Sequence, residues 1–210
     1  MSLFPVFLKL EGRPCLVVGA GNVAKEKIDA LLLARAEIHI VAPRVLPGVA
    51  ALVRAGRVTL ALRPFRERDL MGRTLVVTAT DSPTVNHAVY GAAQRRGILC
   101  NSVDDPPNCD FYFASTVRRG PLQVAISTAG ESPALAQRLR RELEAALPEE
   151  LAEWVEELGQ LRREILTRCS AGEPRKLLLH RVAHLPLCGA ETCPTRQLAG
   201  HPNGFEETLQ

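Results

Sequence analysis

Along the first half of the chain, short apolar runs alternate with stretches whose apolar positions recur at helical spacing. Residues 14–19 hold Cys15-Leu16-Val17-Val18 between Pro14 and Gly19, which predicts a buried strand. Asn22 to Ala36 places Val23, Ile28, Ala30, Leu31 and Ala34 on one broad face and predicts a helix. Glu37 to Ala42 (EIHIVA) predicts a second strand closed by Pro43, followed by a helix over Val45–Arg54 and a third strand over Val58–Leu62. Thr74–Thr80 (TLVVTAT) predicts a fourth strand. Ser82-Pro83 reads as an N-cap with proline at the first helical position, so a helix should run to about Arg96, and Ile98–Val103 completes five strands. Strands and helices alternating at this spacing predict an α/β fold, a parallel sheet with helices on both faces.

The texture then changes. FYFASTVRRGPLQVAIST carries two apolar runs around Arg118-Arg119-Gly120-Pro121 and predicts a hairpin. A helix should start near Ser132 and Pro133 and stop at Pro148. Glu149–Leu166 predicts a long amphipathic helix, a shorter one follows Pro174, and the Pro- and Gly-rich stretch from Leu185 onward predicts little regular structure.

Chemistry enters at the first strand–helix junction, where Gly19-Ala20-Gly21-Asn22-Val23-Ala24 spells G-x-G-x-x-A. Gly19 permits a sharp turn, Gly21 lets a pyrophosphate approach the backbone, and small Ala24 lets helix and strand pack closely. The helix N-terminus, with Asn22 and Val23, then offers free N–H groups to phosphates. This makes a Rossmann-like dinucleotide site; the competing reading is a glycine turn needed only for packing. The acidic residue expected at the second strand's end to hold an NAD ribose is missing, since the strand ends Ala42-Pro43-Arg44. Backbone groups around Pro43 would hold the ribose, or Arg44 would favour the 2′-phosphate of NADP.

Composition narrows the function classes. With 26 basic and 23 acidic residues in 210, the formal charge of +3 argues against a nucleic-acid binder driven by global charge. No apolar run reaches membrane-spanning length and no secretory signal is evident, so the cytoplasm is the expected compartment. The six cysteines are spread too irregularly for a disulfide framework.

Four stretches in order carry a family resemblance: FPVFLKLEGRPCLVVGAGNVAKEKIDALL, TLVVTATDSPTVNHAV, CNSVDDPPNCDFYFAS and RRGPLQVAISTAGESPALAQRLRREL. The chain resembles the precorrin-2 dehydrogenase/sirohydrochlorin ferrochelatase family, the N-terminal part of siroheme synthase. The resemblance covers about residues 4–148 and implies oxidation of the tetrapyrrole precorrin-2 to sirohydrochlorin with NAD⁺. In many members it also implies insertion of Fe²⁺, or of Co²⁺. It further implies a homodimer with a dinucleotide domain over 1–112, a dimerisation region over 113–147 and a helical domain over 148–210. Methylation of the substrate would fall to a separate methyltransferase.

Site residues follow from both lines. Asp104 lies just past the fifth strand, at the edge where open parallel sheets bind ligands, and matches the aspartate of the family's N-x-V-D motif. A carboxylate there suits proton removal from the macrocycle; Asp105 is the neighbouring alternative, and a turn-forming role before Pro106-Pro107 is the plain one. Asn101 and Val103 share that strand end and face the nicotinamide side. Thr80 and Asp81 line the cofactor by resemblance; the plain alternative is that Asp81 or Ser82 caps the next helix. Ser127 and Thr128 match a substrate-pocket pair that is often Ser-Ser in the family. Arg118, Arg119, Arg138 and Arg141 pair with substrate carboxylates or solvate a hairpin and a helix. In the tail, His180, His184, Cys188 and Cys193 form a loosely spaced metal-binding candidate. The rival from another class is a non-catalytic NAD-binding sensor, which needs the glycine turn but no carboxylate at position 104.

Overall fold

The computed structural model describes residues 3–183, which fall into two compact units, Phe4–Phe113 and one beginning at Ala114. In the first unit, strands β1 (Pro14–Val18), β2 (Glu37–Ala42), β3 (Thr59–Leu62), β4 (Leu75–Thr78) and β5 (Leu99–Ser102) form one sheet in the order β3-β2-β1-β4-β5. Every pairing is parallel, with Val18 opposite both Val41 and Thr78, and Thr78 opposite Ser102. The strand ends are therefore level, and the order reverses between β1 and β4. That reversal opens a crevice at the carboxyl edge.

Period-two alternation explains the layers. Cys15, Val17, Ile38, Ile40, Leu75 and Val77 face one side, packed with Ala24, Ile28 and Leu31 of α1 (Asn22–Leu33) and Val49 of α2 (Pro47–Arg54). Leu16, Val18, Val41 and Val76 face the other, packed with Val89, Ala92 and Ala93 of α3 (Pro83–Gln94). Such double burial is why β1 and β4 read as unbroken apolar runs.

Helix α1 stops three residues short of the predicted Ala36. Arg35 takes a left-handed φ of 55°, Arg35 N–H donates to Leu32 O at 3.0 Å, and Ala36 N–H donates to Leu31 O at 3.1 Å. This is a Schellman closure with arginine where glycine is usual. Two short 3₁₀ turns, Glu67–Leu70 and Pro106–Asn108, add to the predicted elements.

The second unit pairs β6 (Ser115–Arg119) with β7 (Leu122–Ile126) as an antiparallel hairpin. Gly120 adopts φ 53° at the first turn position, and a Cβ there would sit 3.0 Å from the Ala152 side chain. Helix α4 (Pro133–Ala146) packs on the hairpin, and α5 (Leu151–Arg168) packs on α6 (Glu173–Ala183) through Leu161, Ile165, Leu178 and Val182. No helix among the described residues is long and apolar enough to cross a membrane.

Candidate active site at the carboxyl edge of the sheet

The two glycines of the first turn serve different ends. Gly19 has φ 115°, and a Cβ built there would lie 2.2 Å from Ala79 O and 2.8 Å from Ala79 C. Its absence lets the β1 exit press against the β4 exit. Gly21 is the N-cap of α1 with an ordinary φ of −85°, and a Cβ there would meet nothing within 4 Å. Among the described residues nothing demands glycine at 21; what its bareness leaves is open approach to the backbone. No side chain caps α1 and its first turn carries no acid. Asn22 and Val23 are exposed, while Ala24 is fully buried as close packing requires. Bare amides at a helix start, beside an open glycine, suit a diphosphate.

Pro43 and Arg44 are exposed at the β2 end. The loop is stitched to the glycine turn by Gly19 N–H to Val41 O at 3.0 Å and Leu46 N–H to Ala20 O at 3.1 Å.

At the β4 end, buried Asn86 ties a polar knot. Its Oδ1 accepts from Thr78 Oγ1 at 2.6 Å and from Thr80 Oγ1 at 2.7 Å, and its Nδ2 donates to Thr80 O at 3.0 Å. Ala79, whose carbonyl abuts Gly19, lies between the two threonines. Thr80 thus holds the crevice wall in place. Of the two capping candidates, Ser82 caps α3 by accepting from Val85 N–H at 3.4 Å, and Asp81 stays exposed. Asn86 is not among the residues that the sequence motifs single out. An asparagine at an inward position in a helix's first turn was the available signal, because a buried amide needs partners.

The β5 end separates the adjacent aspartates. Asp105 Oδ2 accepts from Asn108 Nδ2 at 2.6 Å and from Ser102 Oγ at 3.4 Å, so it builds its own turn. Asp104 is exposed, holds a left-handed φ of 61°, and its carboxylate has no hydrogen-bond or ion-pair partner among the described residues. Aspartate adopts that region more readily than most residues, and here it turns the chain out of β5. Buried Asn101 turns its Nδ2 to Phe111 O at 2.8 Å and Cys109 Sγ at 3.3 Å, pinning the following segment. Val103 N–H donates to Thr78 O at 3.0 Å, extending the β4–β5 ladder to the residue before Asp104. With neighbouring strands about 4.8 Å apart, the β5 end lies about 10 Å from the β1 turn.

The second unit's candidates divide. Arg119 Nε donates to Leu147 O at 2.9 Å and Nη2 to Glu144 O at 2.6 Å, so its guanidinium caps the end of α4. Arg138 pairs with Glu142 at 3.2 Å. Arg118 and Arg141 are exposed without an ion-pair partner among the described residues. Ser127 Oγ accepts from Ala129 N–H at 3.1 Å and Thr128 Oγ1 from Ser132 N–H at 3.0 Å, shaping the turn before α4. His180 is exposed on α6; His184, Cys188 and Cys193 lie outside the described residues. Among the described residues no group of three or more potential metal ligands converges.

A doubly wound sheet with a bare glycine turn at the point where its strand order reverses defines a dinucleotide-binding protein. The comparisons agree. Residues 6–115 match the family described as "Putative NAD(P)-binding", and residues 119–146 match that described as "Sirohaem biosynthesis protein central". Siroheme synthase 1 of Serratia proteamaculans is 42% identical over 177 residues, 84% of this chain and 37% of that protein. Siroheme synthase 1 of Pectobacterium atrosepticum is 43% identical over 182 residues, 87% of this chain and 38% of that protein. The chain thus spans somewhat over a third of the length of these curated relatives. Among solved structures, "SirC, precorrin-2 dehydrogenase" superposes with a TM-score of 0.76 at 25% identity, covering 99% of this chain and 98% of that one. The chain belongs to the siroheme synthase family and holds its NAD(P)-binding part.

Proposed function

We propose that this chain oxidises precorrin-2 to sirohydrochlorin with NAD⁺ and then inserts Fe²⁺, or Co²⁺, as a substrate into the product. The observation that carries the proposal is Asp104: an exposed carboxylate without partners, on the sheet edge that bears the glycine turn. A non-catalytic sensor needs no such group.

The backbone amides at Gly21, Asn22 and Val23 fit the diphosphate, and the loop at Pro43 and Arg44 fits the adenosine end. When bound, NAD⁺ supplies the hydride acceptor. Oxidising the macrocycle removes one hydride and one proton, and Asp104 takes the proton and passes it to water. Metal insertion displaces two pyrrolic protons, and the same carboxylate accepts them in turn. The fixed β4 wall at Thr80, with Asp81, Asn101 and Val103 along the edge, holds the reacting partners in register. Arg118 and Arg141 are the cations suited to substrate carboxylates. The protein acts in the cytoplasm as a homodimer formed through residues 113–147, on a substrate supplied by a methyltransferase.

The test is anaerobic turnover of precorrin-2 with NAD⁺, followed by sirohydrochlorin absorbance, then addition of Fe²⁺. Asp104→Asn should lower turnover by roughly 10²–10⁴-fold while NAD⁺ still binds. Unchanged turnover would remove the assignment, and oxidation without enzyme-dependent metallation would remove the chelatase half.

A further inference from the structure

The adenosine end of the site has an unusual charge balance. Between Glu37 and Glu67 the sequence contains no acidic residue, yet it holds Arg44, Arg54, Arg57, Arg63 and Arg66. This stretch covers most of β2, all of α2 and β3, and the loops at their carboxyl ends. In a dinucleotide fold, a carboxylate at the β2 end receives the ribose 2′-hydroxyl of NAD and repels a 2′-phosphate. Here the corresponding positions are Ala42, which is buried, and Pro43, which offers no donor and no charge.

Arg44 stands next to them. It is exposed and has no hydrogen-bond or ion-pair partner among the described residues. Its loop is fixed at both ends against the phosphate turn, through Val41 O and through Leu46 N–H to Ala20 O at 3.1 Å. The arginine at the β3 end is not equally available: Arg63 forms a two-pronged bond with Asp69, at 2.8 and 2.6 Å. Among the described residues, Arg44 is therefore the unengaged arginine that adjoins the β2 end; Arg66, also exposed, lies on the loop past β3.

We infer that the site accepts a 2′-phosphorylated adenosine, so that NADP⁺ binds at least as well as NAD⁺, with Arg44 as the residue that sets the preference. A guanidinium can form paired, charge-assisted bonds to a phosphate dianion, and no carboxylate opposes them. The inference rests on the dehydrogenase reading only in that both use one coenzyme crevice.

The test is equilibrium binding without turnover. Calorimetric titration of the full chain with NAD⁺, NADP⁺ and 2′,5′-ADP is compared for wild type, Arg44→Gln and Arg44→Glu. Wild type should bind NADP⁺ as tightly as NAD⁺ or more tightly. Arg44→Glu should lower the NADP⁺/NAD⁺ affinity ratio roughly tenfold or more, with Arg44→Gln falling between. The NADP⁺ term should also weaken more steeply with salt. A wild type that prefers NAD⁺, or a ratio unmoved by both substitutions, overturns the inference and leaves the dehydrogenase reading intact. Failure to bind either coenzyme overturns both.

Discussion

Gly19 and Gly21 stand two residues apart in one motif, yet their replacement by alanine should have opposite consequences. At Gly19 the new methyl would lie 2.2 Å from Ala79 O, where ordinary contact begins at 3.4 Å, an overlap of about 1.2 Å. The carbonyl cannot retreat cheaply. Ala79 N–H is bonded to Val18 O at 2.8 Å, and the next carbonyl, Thr80 O, is held by Asn86 at 3.0 Å. Overpacking costs about 1–3 kcal/mol, and holding alanine at φ 115° costs a further 1–3 kcal/mol or so. A loss of roughly 2–6 kcal/mol is a large share of a typical domain's 5–15 kcal/mol and should lower Tm by about 5–20 °C. At Gly21 the methyl meets no atom and φ is ordinary, so stability should move by no more than about 1 kcal/mol. The same methyl occupies the phosphate approach, and coenzyme affinity should fall roughly tenfold or more. Urea denaturation and coenzyme titration of both variants decide the matter. A Gly19→Ala protein as stable as wild type would refute the packing argument, and a Gly21→Ala protein that binds coenzyme normally would refute the cradle.

Other expectations follow from the same geometry. Asn86→Ala leaves the Thr78 hydroxyl buried without its partner and should cost about 2–4 kcal/mol in urea unfolding. Arg119→Ala frees the Glu144 and Leu147 carbonyls and should speed amide exchange at the end of α4, whereas Arg118→Ala should shift stability by less than about 0.5 kcal/mol. Arg63 hydrogen bonding holds the Asp69 carboxyl below the usual range against the opposing effect of burial. A depressed folded value stabilises the protein above the unfolded pKa near 4, and this is lost as pH falls through the folded value. Asp69→Asn should therefore flatten the acid limb of the stability profile below about pH 4; an unaltered limb would count against the pair. Burial pushes the Cys15 thiol up to about 11 and the Cys100 thiol up to about 12, so both should resist thiol reagents at pH 8 until the protein unfolds.

The sheet was legible because both of its faces are buried. Five short apolar runs, with helical spacing between all but the third and fourth, admit few other arrangements, and the runs' positions match the layers seen. Element ends were less legible. The apolar pattern runs on to Ala36 because no glycine marks the close of α1, and the Schellman turn through Arg35 leaves no compositional trace. Pro106-Pro107 signals a turn, but its 3₁₀ form depends on Asp105 and Asn108 meeting.

Residue type alone leaves Asp104 and Asp105 as a pair of equal composition, spacing and strand end, and it is the family's N-x-V-D pattern that selects Asp104. What divides them is the backbone. The 105 side chain folds inward onto Ser102 and Asn108, and that turn leaves residue 104 at φ 61° with its carboxylate outward. One aspartate thus builds the bend that presents the other. The same division of labour holds across the crevice, where Asn86 and Thr80 fix the wall that Gly19 leans on while Gly21 stays bare. A rigid edge with one open glycine and one unengaged carboxylate is costly to maintain for packing alone. Asp105→Ala tests this coupling. It should free residue 104 from its left-handed conformation and lower turnover without touching the carboxylate itself, and Asp105→Asn, which keeps an acceptor for Asn108, should restore part of it. If Asp105→Ala turned over normally, presentation of Asp104 by its neighbour would be refuted, and the left-handed backbone there would be incidental to the chemistry.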